Sequence, residues 1–467
     1  MKKNIKICYI GGGSKLWAQI FMSDLALSKH LEGEIALYDI DFESAYRNKK
    51  IGDRISLHPS SISKWKYNVY ETIDEALKDS AVVIISILPG TMDEMYSDVH
   101  TPEKYGIFQS VGDTVGPGGV IRAMRTIPIY EGFAKKIKEI CPSSWVINLT
   151  NPMTICVKAL FDVFPSIKAF GCCHEVFHTQ DLLIDVARDV LNIKGLTRKD
   201  ISFDVSGINH FTWIKSAKYK DIDLLDYLDD FFAIHKDGYF ERGNKDDYLT
   251  YPYAYNNLLK YDLYKRYGVL GAAGDRHLAE FLSNTWYLKD KETAIKSGFN
   301  LTTVDYRKNE QNERIERLRK LSDGLIDVEI NKSGEEAVEL IESLMGQKEI
   351  ISNVNYINKG QVPYLKLNSV VESNCIFKED ELIPITCGDI PDSVKALINR
   401  NALNIETCYE GIKERDFKKI FASFMNQPLC STLSIEDGRK LFKEMVLNTK
   451  DYLKDYYDLS KIDNDDF

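Results

Sequence analysis

The feature that most constrains this chain is a glycine turn between a strand and a helix near its start. An apolar run at residues 5–10 predicts a strand, and a helical pattern begins at residue 16. Between them stand Gly11, Gly12, Gly13 and Ser14. In that position, backbone N–H groups and the positive helix end can meet a pyrophosphate. A full G-x-G-x-x-G pattern needs glycine or alanine where Leu16 stands, so a glycine-rich turn without a ligand is the alternative.

Short β-rich runs alternate with helical patterns in the first part of the chain. The predicted strands are Ile5–Ile10, Glu34–Tyr38, Ala81–Leu88, Trp145–Leu149 and Ile167–Phe170. The predicted helices are Leu16–Lys29, Phe42–Leu57, Ile73–Lys78, Ile127–Ile140 and Met153–Phe161. This alternation predicts an α/β fold with a Rossmann-type, doubly wound parallel sheet and right-handed crossovers.

From about residue 195 the pattern becomes mixed. The predicted strands are Ser202–Val205 and Trp213–Tyr219, with a β-rich patch at Val354–Cys375. The predicted helices are Tyr251–Tyr267, Glu310–Ser322 and Gly334–Met345, and further helices follow to the end. We therefore predict a Rossmann-like NAD-binding domain at residues 1–195 and a mixed α+β catalytic and oligomerisation domain at residues 196–467.

Asp39 adds to the prediction of a dinucleotide site. It ends the second predicted strand. There a carboxylate can bind both ribose hydroxyls and repel a 2′-phosphate, so the sequence favours NAD over NADP.

The charge balance and the cysteines limit the partners and the compartment of the chain. Lys and Arg number 60 and Asp and Glu 70, a net charge of −10, which argues against nucleic acid or an anionic membrane as the main partner. The longest apolar stretch, Ala81–Leu88, is much shorter than a membrane span. The nine cysteines have no regular spacing, which favours reduced thiols in a cytoplasmic protein over a disulfide framework.

Two loops combine thiols with imidazoles. Cys172, Cys173 and His174 follow the fifth predicted strand, and Asn209 and His210 follow another strand. Doubly wound folds place their chemistry at such strand ends, and a thiolate with an imidazole can hold one divalent metal and leave positions open for a substrate. Thiolate softness by itself favours Zn²⁺ over Mn²⁺. The alternative is a buried small cysteine and a core histidine without a ligand.

Other polar segments carry less information. Asn148 and Asn151 end a strand and can face one edge of a cleft, and Asp113 lies in a glycine-dense loop that is either a substrate loop or a tight turn. A third segment contains Asp275, Arg276 and His277. If buried, these groups would perturb each other and could act as a base and a carboxylate clamp. The alternative is a solvated helix start with Asp275 as its N-cap.

Together these segments resemble family 4 of the glycoside hydrolases, the NAD- and metal-dependent group. The resemblance covers nearly the whole chain and rests on the order of its motifs. They are Gly11–Ser14, Asp39, Gly112–Gly119, Asn148–Pro152, Cys173–Val176, Gly207–His210, Asn358–Pro363 and Val370–Glu372. The resemblance implies the fold of the lactate and malate dehydrogenase superfamily. It also implies NAD and a divalent metal, Mn²⁺ or a similar ion, held by Cys173 and His210.

The same resemblance implies a substrate class. In phosphoglucosidase members, Asp or Asn follows the cysteine and Pro takes the fourth place of the motif. This chain has Cys173-His174-Glu175-Val176, which resembles members that act on unphosphorylated α-glycosides, including α-glucuronidases and some α-glucosidases. Phosphoglycosidase members also hold the 6-phosphate with an arginine after the third strand, and here no arginine lies between Arg54 and Arg122.

The family uses redox-assisted elimination instead of a pair of carboxylates. NAD⁺ takes a hydride from C3 of the sugar, the metal stabilises the enediolate, a base removes the C2 proton, and the aglycone leaves C1. In this chain His174 occupies the place of the leaving-group acid, and the base is Asp275 or Tyr255. We assign the glycine turn, Asp39 and Asn148 to the cofactor. Substrate contacts are assigned to Asp113, Asn151 and Asn209, with Arg276 and His277 on a C6 carboxylate because a guanidinium fork matches that group.

We therefore predict a glycosidase that cleaves unphosphorylated α-hexuronides, either an α-glucuronidase or an α-galacturonidase. The alternatives are an α-glucosidase or α-galactosidase of the same family, an NAD-dependent hydroxy-acid dehydrogenase, and a non-catalytic dinucleotide sensor. The expected partners are a small-molecule α-glycoside and further copies of the chain in a homodimer or homotetramer, with no nucleic acid and no membrane.

Overall fold

One sheet of thirteen strands runs through both predicted halves of the chain. The computed structural model describes residues 2–464 and 467. The strands are β1 Lys3–Ile10, β2 Leu31–Tyr38, β3 Trp65–Val69, β4 Val82–Ile85, β5 Trp145–Asn148, β6 Lys168–Gly171, β7 Ser202–Ile208, β8 Phe211–Tyr219, β9 Ile222–Asp223, β10 Leu270–Gly271, β11 Ile350–Ile357, β12 Val370–Lys378 and β13 Glu381–Pro384.

Helices connect and cover these strands. They are α1 Trp17–Ala26, α2 Phe42–Leu57, α3 Ile73–Leu77, α4 Met92–His100, α5 Gly116–Ile140, α6 Met153–Val163, α7 Glu175–Asp189, α8 Leu228–Ile234, α9 Leu258–Tyr267, α10 Asp275–Glu280, α11 Asn284–Tyr287, α12 Lys291–Lys296, α13 Val304–Ser322, α14 Ala337–Leu344, α15 Asp392–Glu414, α16 Phe417–Met425, α17 Ile435–Asn448 and α18 Ser460–Asp463. Among the described residues, no helix combines the length and the apolar character that crossing a bilayer requires.

The first six strands form the parallel part of the sheet. Their order is β3-β2-β1-β4-β5-β6 and all five pairings are parallel, which is the strand order of a doubly wound dinucleotide-binding fold. Both faces are covered, because Ile7 and Tyr9 of β1 belong to one apolar core and Cys8 and Ile10 to another. The predicted fold class is therefore confirmed.

Strands from the second half extend the same sheet in antiparallel fashion. Beyond β6 the order continues as β11-β12-β7-β8-β10, while β9 pairs with β8 and β13 with β12. Backbone hydrogen bonding therefore passes from the first half of the chain into the second at β6 and β11. The division at residue 195 stays a prediction.

The register of these strands aligns one row of residues across the sheet. Gly171 at the end of β6 lies opposite Asn355, Asn355 opposite Glu372, and Glu372 opposite Gly207 near the end of β7. Three antiparallel pairings separate β6 from β7, so the two strands run in opposite directions and their C-terminal ends meet at this row. Two strands from late in the chain make this alignment, because β11 and β12 stand between β6 and β7.

Several predicted boundaries differ from the structure. The sequence analysis missed β3, a strand of only five residues. Helix α5 begins at Gly116, so the glycine-dense loop is shorter than predicted, because Pro117 is tolerated in the first turn. The predicted helix Tyr251–Tyr267 is helical only from Leu258. Its first seven residues instead run beside Phe299, which forms a bridge with Tyr255.

A buried ion pair ties helices of both halves together. The guanidinium of Arg125 in α5 donates two hydrogen bonds to the carboxylate of Asp98 in α4, and a third to Thr449 Oγ1 beyond α17. The side chains of Arg125 and Asp98 are 2% and 1% exposed. Both charges therefore depend on each other for compensation.

Methionine in place of Arg125 is expected to lower the free energy of unfolding by about 3–5 kcal/mol, because Asp98 is left as an unpaired buried charge. Urea denaturation followed by circular dichroism measures the change. Lys440→Met is the control, since its exposed pair with Glu436 is worth at most about 1 kcal/mol. Equal midpoints for the two variants would contradict the role given to the buried pair.

Candidate active site

The two predicted thiol and imidazole loops follow the strand ends that meet at this row of the sheet. Cys172 and Cys173 follow β6 directly, while Asn209 and His210 form the two-residue turn between β7 and β8. His210 has a φ of 63°, a left-handed conformation that is uncommon for a residue with a side chain and is concentrated at functional sites. The turn thus holds an imidazole in a fixed, buried position.

A chain of hydrogen bonds fixes the tautomer of His210. Burial raises the pKa of Asp113, yet Arg122 and His210 nearby hold it well below its usual value, so Asp113 is ionised. Thr114 Oγ1 donates to Asp113 Oδ1 at 2.7 Å and must therefore accept from His210 Nδ1, 3.0 Å away. Burial and the neighbouring His277 lower the pKa of His210 to about 3. His210 is neutral, and its Nε2 lone pair is available to a ligand.

Cys173 is a buried thiol in an acidic environment. It is 6% exposed, and burial raises its pKa well above the usual value, with Glu372 and Glu175 adding to the shift. The amide of Asn209 opposes the shift by donating to the sulfur. Such a thiol ionises only when a cation binds beside it.

The donor set where the two strand ends meet fits a divalent metal ion. It offers the sulfur of Cys173 and Nε2 of His210, and sulfur and imidazole nitrogen are ligands of borderline-soft divalent ions. The neighbouring Oδ1 of Asn209 is buried without a hydrogen-bond partner among the described residues, so it is left as an acceptor for a further ligand. The fit supports the predicted metal ligands, which stay a prediction.

Glu175 connects the site to α10. Its Oε2 accepts the backbone N–H of Gly274 at 2.8 Å, and its Oε1 lies 3.4 Å from His277 Nε2 and 3.7 Å from His174 Nε2. Burial raises the pKa of Glu175, but His277 and other histidines nearby lower it well below its usual range, so this carboxylate is charged. The sequence analysis quoted Glu175 without giving it a role.

The glycine turn and Asp39 are adjacent, as predicted. Asp39 accepts the N–H of Gly13 and that of Asp41, each at 2.8 Å. A Cβ on Gly12 would lie 2.8 Å from Cβ of Leu37 in β2, so the turn passes too close to the sheet for a side chain. Ser14 Oγ accepts the N–H of Trp17 at 3.0 Å and thereby caps α1. This arrangement of the glycine turn and Asp39 fits a dinucleotide.

Comparison with known proteins identifies the family. The profile of the family 4 glycosyl hydrolases matches residues 6–188, and that of their C-terminal domain matches residues 205–430. The chain belongs to the family 4 glycosyl hydrolases. The resemblance seen in the motifs and the prediction of a glycoside hydrolase are thereby confirmed.

Three relatives illustrate the similarity within the family. An Alpha-galacturonidase of Thermoanaerobacterium saccharolyticum is 48% identical over 450 residues, which are 96% of this chain and 97% of that one. The crystal structure of lplD from Bacillus subtilis is 42% identical, with a TM-score of 0.89 over 95% of this chain and 99% of that one. The 6-phospho-beta glucosidase of Thermotoga maritima, solved with manganese, NAD+ and glucose-6-phosphate, shares the fold with 20% identity and a TM-score of 0.76 over 96% and 99% of the two chains.

In this family 4 enzyme Asp275 is buried and has a structural role. It is fully buried, so the solvated helix start considered above is wrong. Its carboxylate accepts the backbone N–H groups of Leu259 and Lys260, at 3.3 and 3.1 Å, in the first turn of α9. Burial raises the pKa of Asp275 to about 7, against the opposing charge of Lys260. Asp275 thus caps a neighbouring helix.

Tyr255, the other candidate base, does not cap a helix. Its hydroxyl is buried without a hydrogen-bond partner among the described residues. Gly274 allows the ring to lie close, since a Cβ there would stand 2.7 Å from Cε1 of Tyr255. The Nζ of Lys260 is 5.3 Å from the ring centroid. Burial raises the pKa of Tyr255 well above its usual value, so in this state the phenol carries its proton.

His174 lies at the mouth of the site. Its Nδ1 is 3.4 Å from Glu335 Oε1, and its side chain is 30% exposed. His174, Glu175 and His178 offer ligand atoms within 4.8 Å of one another, a spacing of H-x-x-x-H that sequence analysis missed. Arg242 donates to His178 Nε2 at 2.8 Å, while His178 Nδ1 is buried without a hydrogen-bond partner among the described residues.

The predicted asparagines have different surroundings. Asn148 accepts from Tyr130 Oη and from the N–H of Thr150, so its amide is engaged within the fold. Asn151 and Asn209 each have a buried, unpartnered Oδ1, as expected of groups that await a ligand. Glu372 accepts from Asn209 at 3.4 Å and orients that amide beside Cys173.

Proposed function

We propose that this family 4 enzyme is an α-galacturonidase, which hydrolyses unphosphorylated α-D-galacturonides. The observation that carries the proposal is the 48% identity, over 96% of the chain, to a protein named Alpha-galacturonidase. The absence of arginine between Arg54 and Arg122 supports an unphosphorylated substrate. Buried guanidinium groups beside the site support a negatively charged one.

We further propose that the enzyme uses NAD and a divalent metal, Mn²⁺ or a similar ion. The glycine turn with Asp39 would hold the dinucleotide, and Cys173 with His210 would hold the metal. When bound, the dinucleotide supplies a hydride acceptor and the ion a Lewis acid. The solved Thermotoga relative contains both groups.

The chain's own residues then have separate tasks. Asn151 and Asn209 bind sugar hydroxyls through oxygens that lack partners in this structure. Tyr255, once its phenol has released its own proton to solvent, accepts the proton at C2 as a phenolate, since Asp275 is committed to capping α9. His174, partly exposed beside Glu335, donates a proton to the leaving oxygen at C1. Asp113 orients His210 through Thr114.

A panel of p-nitrophenyl glycosides tests the proposal. The enzyme is assayed with α-D-galacturonide, α-D-glucuronide, α-D-galactoside and α-D-galactoside 6-phosphate, in the presence of NAD⁺, Mn²⁺ and a thiol reductant. We expect the highest kcat/KM on the galacturonide, loss of activity after chelation, and no net accumulation of NADH. A preference for glucuronide, galactoside or the phosphate would replace the proposed substrate, and stoichiometric NADH without sugar release would indicate a dehydrogenase.

A further inference from the structure

Arg276, the second residue of α10, is a buried cation without a carboxylate partner. It is 8% exposed, and its Nη1 donates to Thr302 Oγ1 at 3.1 Å. Its guanidinium carbon lies 5.1 Å from the ring centroid of Tyr253. The Nε is buried and has no acceptor among the described residues. Because a buried donor without an acceptor is costly, this group is suited to a ligand.

Arg307, in the first turn of α13, is a half-buried cation near the same ring. Its Nη2 donates to the carbonyl of Val111 at 2.7 Å, while its Nε is also buried without an acceptor among the described residues. Both guanidinium groups act on the phenol of Tyr253 and on each other, and burial with the charge of Arg276 lowers the pKa of Arg307. The two guanidinium groups therefore both lie near Tyr253.

The arginines near Tyr253 outnumber the carboxylates that could compensate their charge. Asp113 is the carboxylate with the strongest effect on Arg307, and it is shared with Arg122. Among the described side chains, no carboxylate oxygen lies within 4.0 Å of a guanidinium nitrogen of Arg122, Arg276 or Arg307. Arg122 and Arg307 share the more distant Asp113 and Arg276 has no carboxylate of its own, so an anionic ligand would complete the charge balance.

The two arginines are attached to the loop that orients His210. Ser110 donates to the carbonyl of Arg276, and Arg307 donates to that of Val111. The same loop continues into Asp113 and Thr114, whose hydroxyl meets His210. The two arginines and His210 are therefore held by the same loop.

We propose that Arg276 and Arg307 form the subsite for the C6 carboxylate of the substrate and thereby determine its specificity. This inference rests on the proposed function, which it deepens. His277, which the sequence analysis placed on this carboxylate, is already beside Glu175, with its ring centroid 4.0 Å from that of His210. We therefore assign the second contact with the C6 carboxylate to Arg307 instead of His277. A neutral 6-hydroxymethyl group would leave both guanidinium groups uncompensated, and such unpaired groups discriminate strongly between substrates.

Arg307→Met and Arg276→Met test the subsite. The measured quantity is the ratio of kcat/KM on p-nitrophenyl α-D-galacturonide to that on the α-D-galactoside. Each variant is expected to lower this ratio by roughly 10- to 100-fold, as loss of a charge-assisted hydrogen bond does. Arg319→Met is the matched control on the same helix, since its side chain is 62% exposed, and it should leave the ratio unchanged.

The conservative variant Arg307→Lys separates packing from recognition. It keeps the charge but loses the fork, so the ratio should fall less than in Arg307→Met. Equal losses on both substrates in all variants would overturn the subsite while leaving the proposed function intact.

Calorimetry with free D-galacturonate supplies a readout that does not depend on turnover. The wild type should bind it at least about 10-fold more tightly than Arg307→Met. If the wild type cleaves no uronide, the proposed function fails, and weaker galacturonate binding by the variant would still support the subsite. Tighter binding of galactose 6-phosphate than of galacturonate would overturn it, because the arginines would then serve a phosphate.

Discussion

Serine in place of Cys173 is expected to reduce hydrolysis of the preferred glycoside by at least about 100-fold. Residues that merely orient a metal ligand cost roughly 10- to 100-fold when replaced, so loss of the ligand itself costs at least as much. A serine hydroxyl does not supply the negative charge of a thiolate. In this buried, acidic environment beside Glu175 and Glu372, that charge forms only when a cation binds. Hydrolysis is measured at saturating NAD⁺, and Mn²⁺ affinity by calorimetry on the same preparations.

Cys172→Ser is the matched control for this prediction. The two thiols are neighbours, 5% and 6% exposed, and burial raises the pKa of both. They differ in surroundings, because the pKa of Cys173 responds to the amide of Asn209, whereas Cys172 responds to Glu335 and Glu336. Cys172→Ser should keep Mn²⁺ affinity and activity within about threefold of the wild type, since it removes no ligand. Equal losses in both variants, or unchanged Mn²⁺ affinity in Cys173→Ser, would contradict the metal assignment.

The parallel half of the fold could be predicted because its determinants are local. A strand buried on both faces, such as β4 with Val82 to Ile85, is an apolar run that ends at recognisable turns. In β3 only the first three of five residues alternate buried and exposed side chains, which is too short a stretch to be distinguished from a loop. The start of α5 was hidden because Gly116 and Pro117 are typical of turns, although both are compatible with a first helical turn.

The alignment of the second half could not be predicted, because it depends on contacts between distant segments. The sequence placed Cys173 and His210 after strand ends, but it could not show that these two ends meet. That alignment is made by β11 and β12, where Asn355 and Glu372 stand between Gly171 and Gly207. Alternation of side chains predicts a strand, whereas its neighbours and register depend on the whole sheet.

The individual site residues show the same limit. The sequence could not show that Asp275 is buried, or that its carboxylate caps α9 rather than its own helix. Arg307 lies in a strongly charged helix, which is typical of a solvent-exposed surface. In the structure its guanidinium instead turns toward Val111 and the interior. Sequence spacing cannot show which cation of such a helix turns toward the interior.

Phenylalanine in place of Tyr255 is expected to lower kcat by about 10²- to 10⁴-fold, the contribution of a general base. The fold should be unaffected, because the Tyr255 hydroxyl has no hydrogen-bond partner among the described residues. The assay is combined with nuclear magnetic resonance of the product formed in deuterated water. Incorporation of deuterium at C2 should slow in parallel with kcat, since the base that removes the C2 proton is missing.

Asparagine in place of Asp275 is the informative comparison, because it should act on stability first. The carboxylate accepts two backbone N–H groups of α9, one with each oxygen, whereas the amide of asparagine has a single acceptor oxygen. One buried N–H group is then left without its acceptor at a cost of about 1–3 kcal/mol, so the melting temperature of Asp275→Asn should fall below that of Tyr255→Phe. If Asp275→Asn instead melts like the wild type and loses C2 exchange, while Tyr255→Phe retains it, the proton at C2 is removed by Asp275.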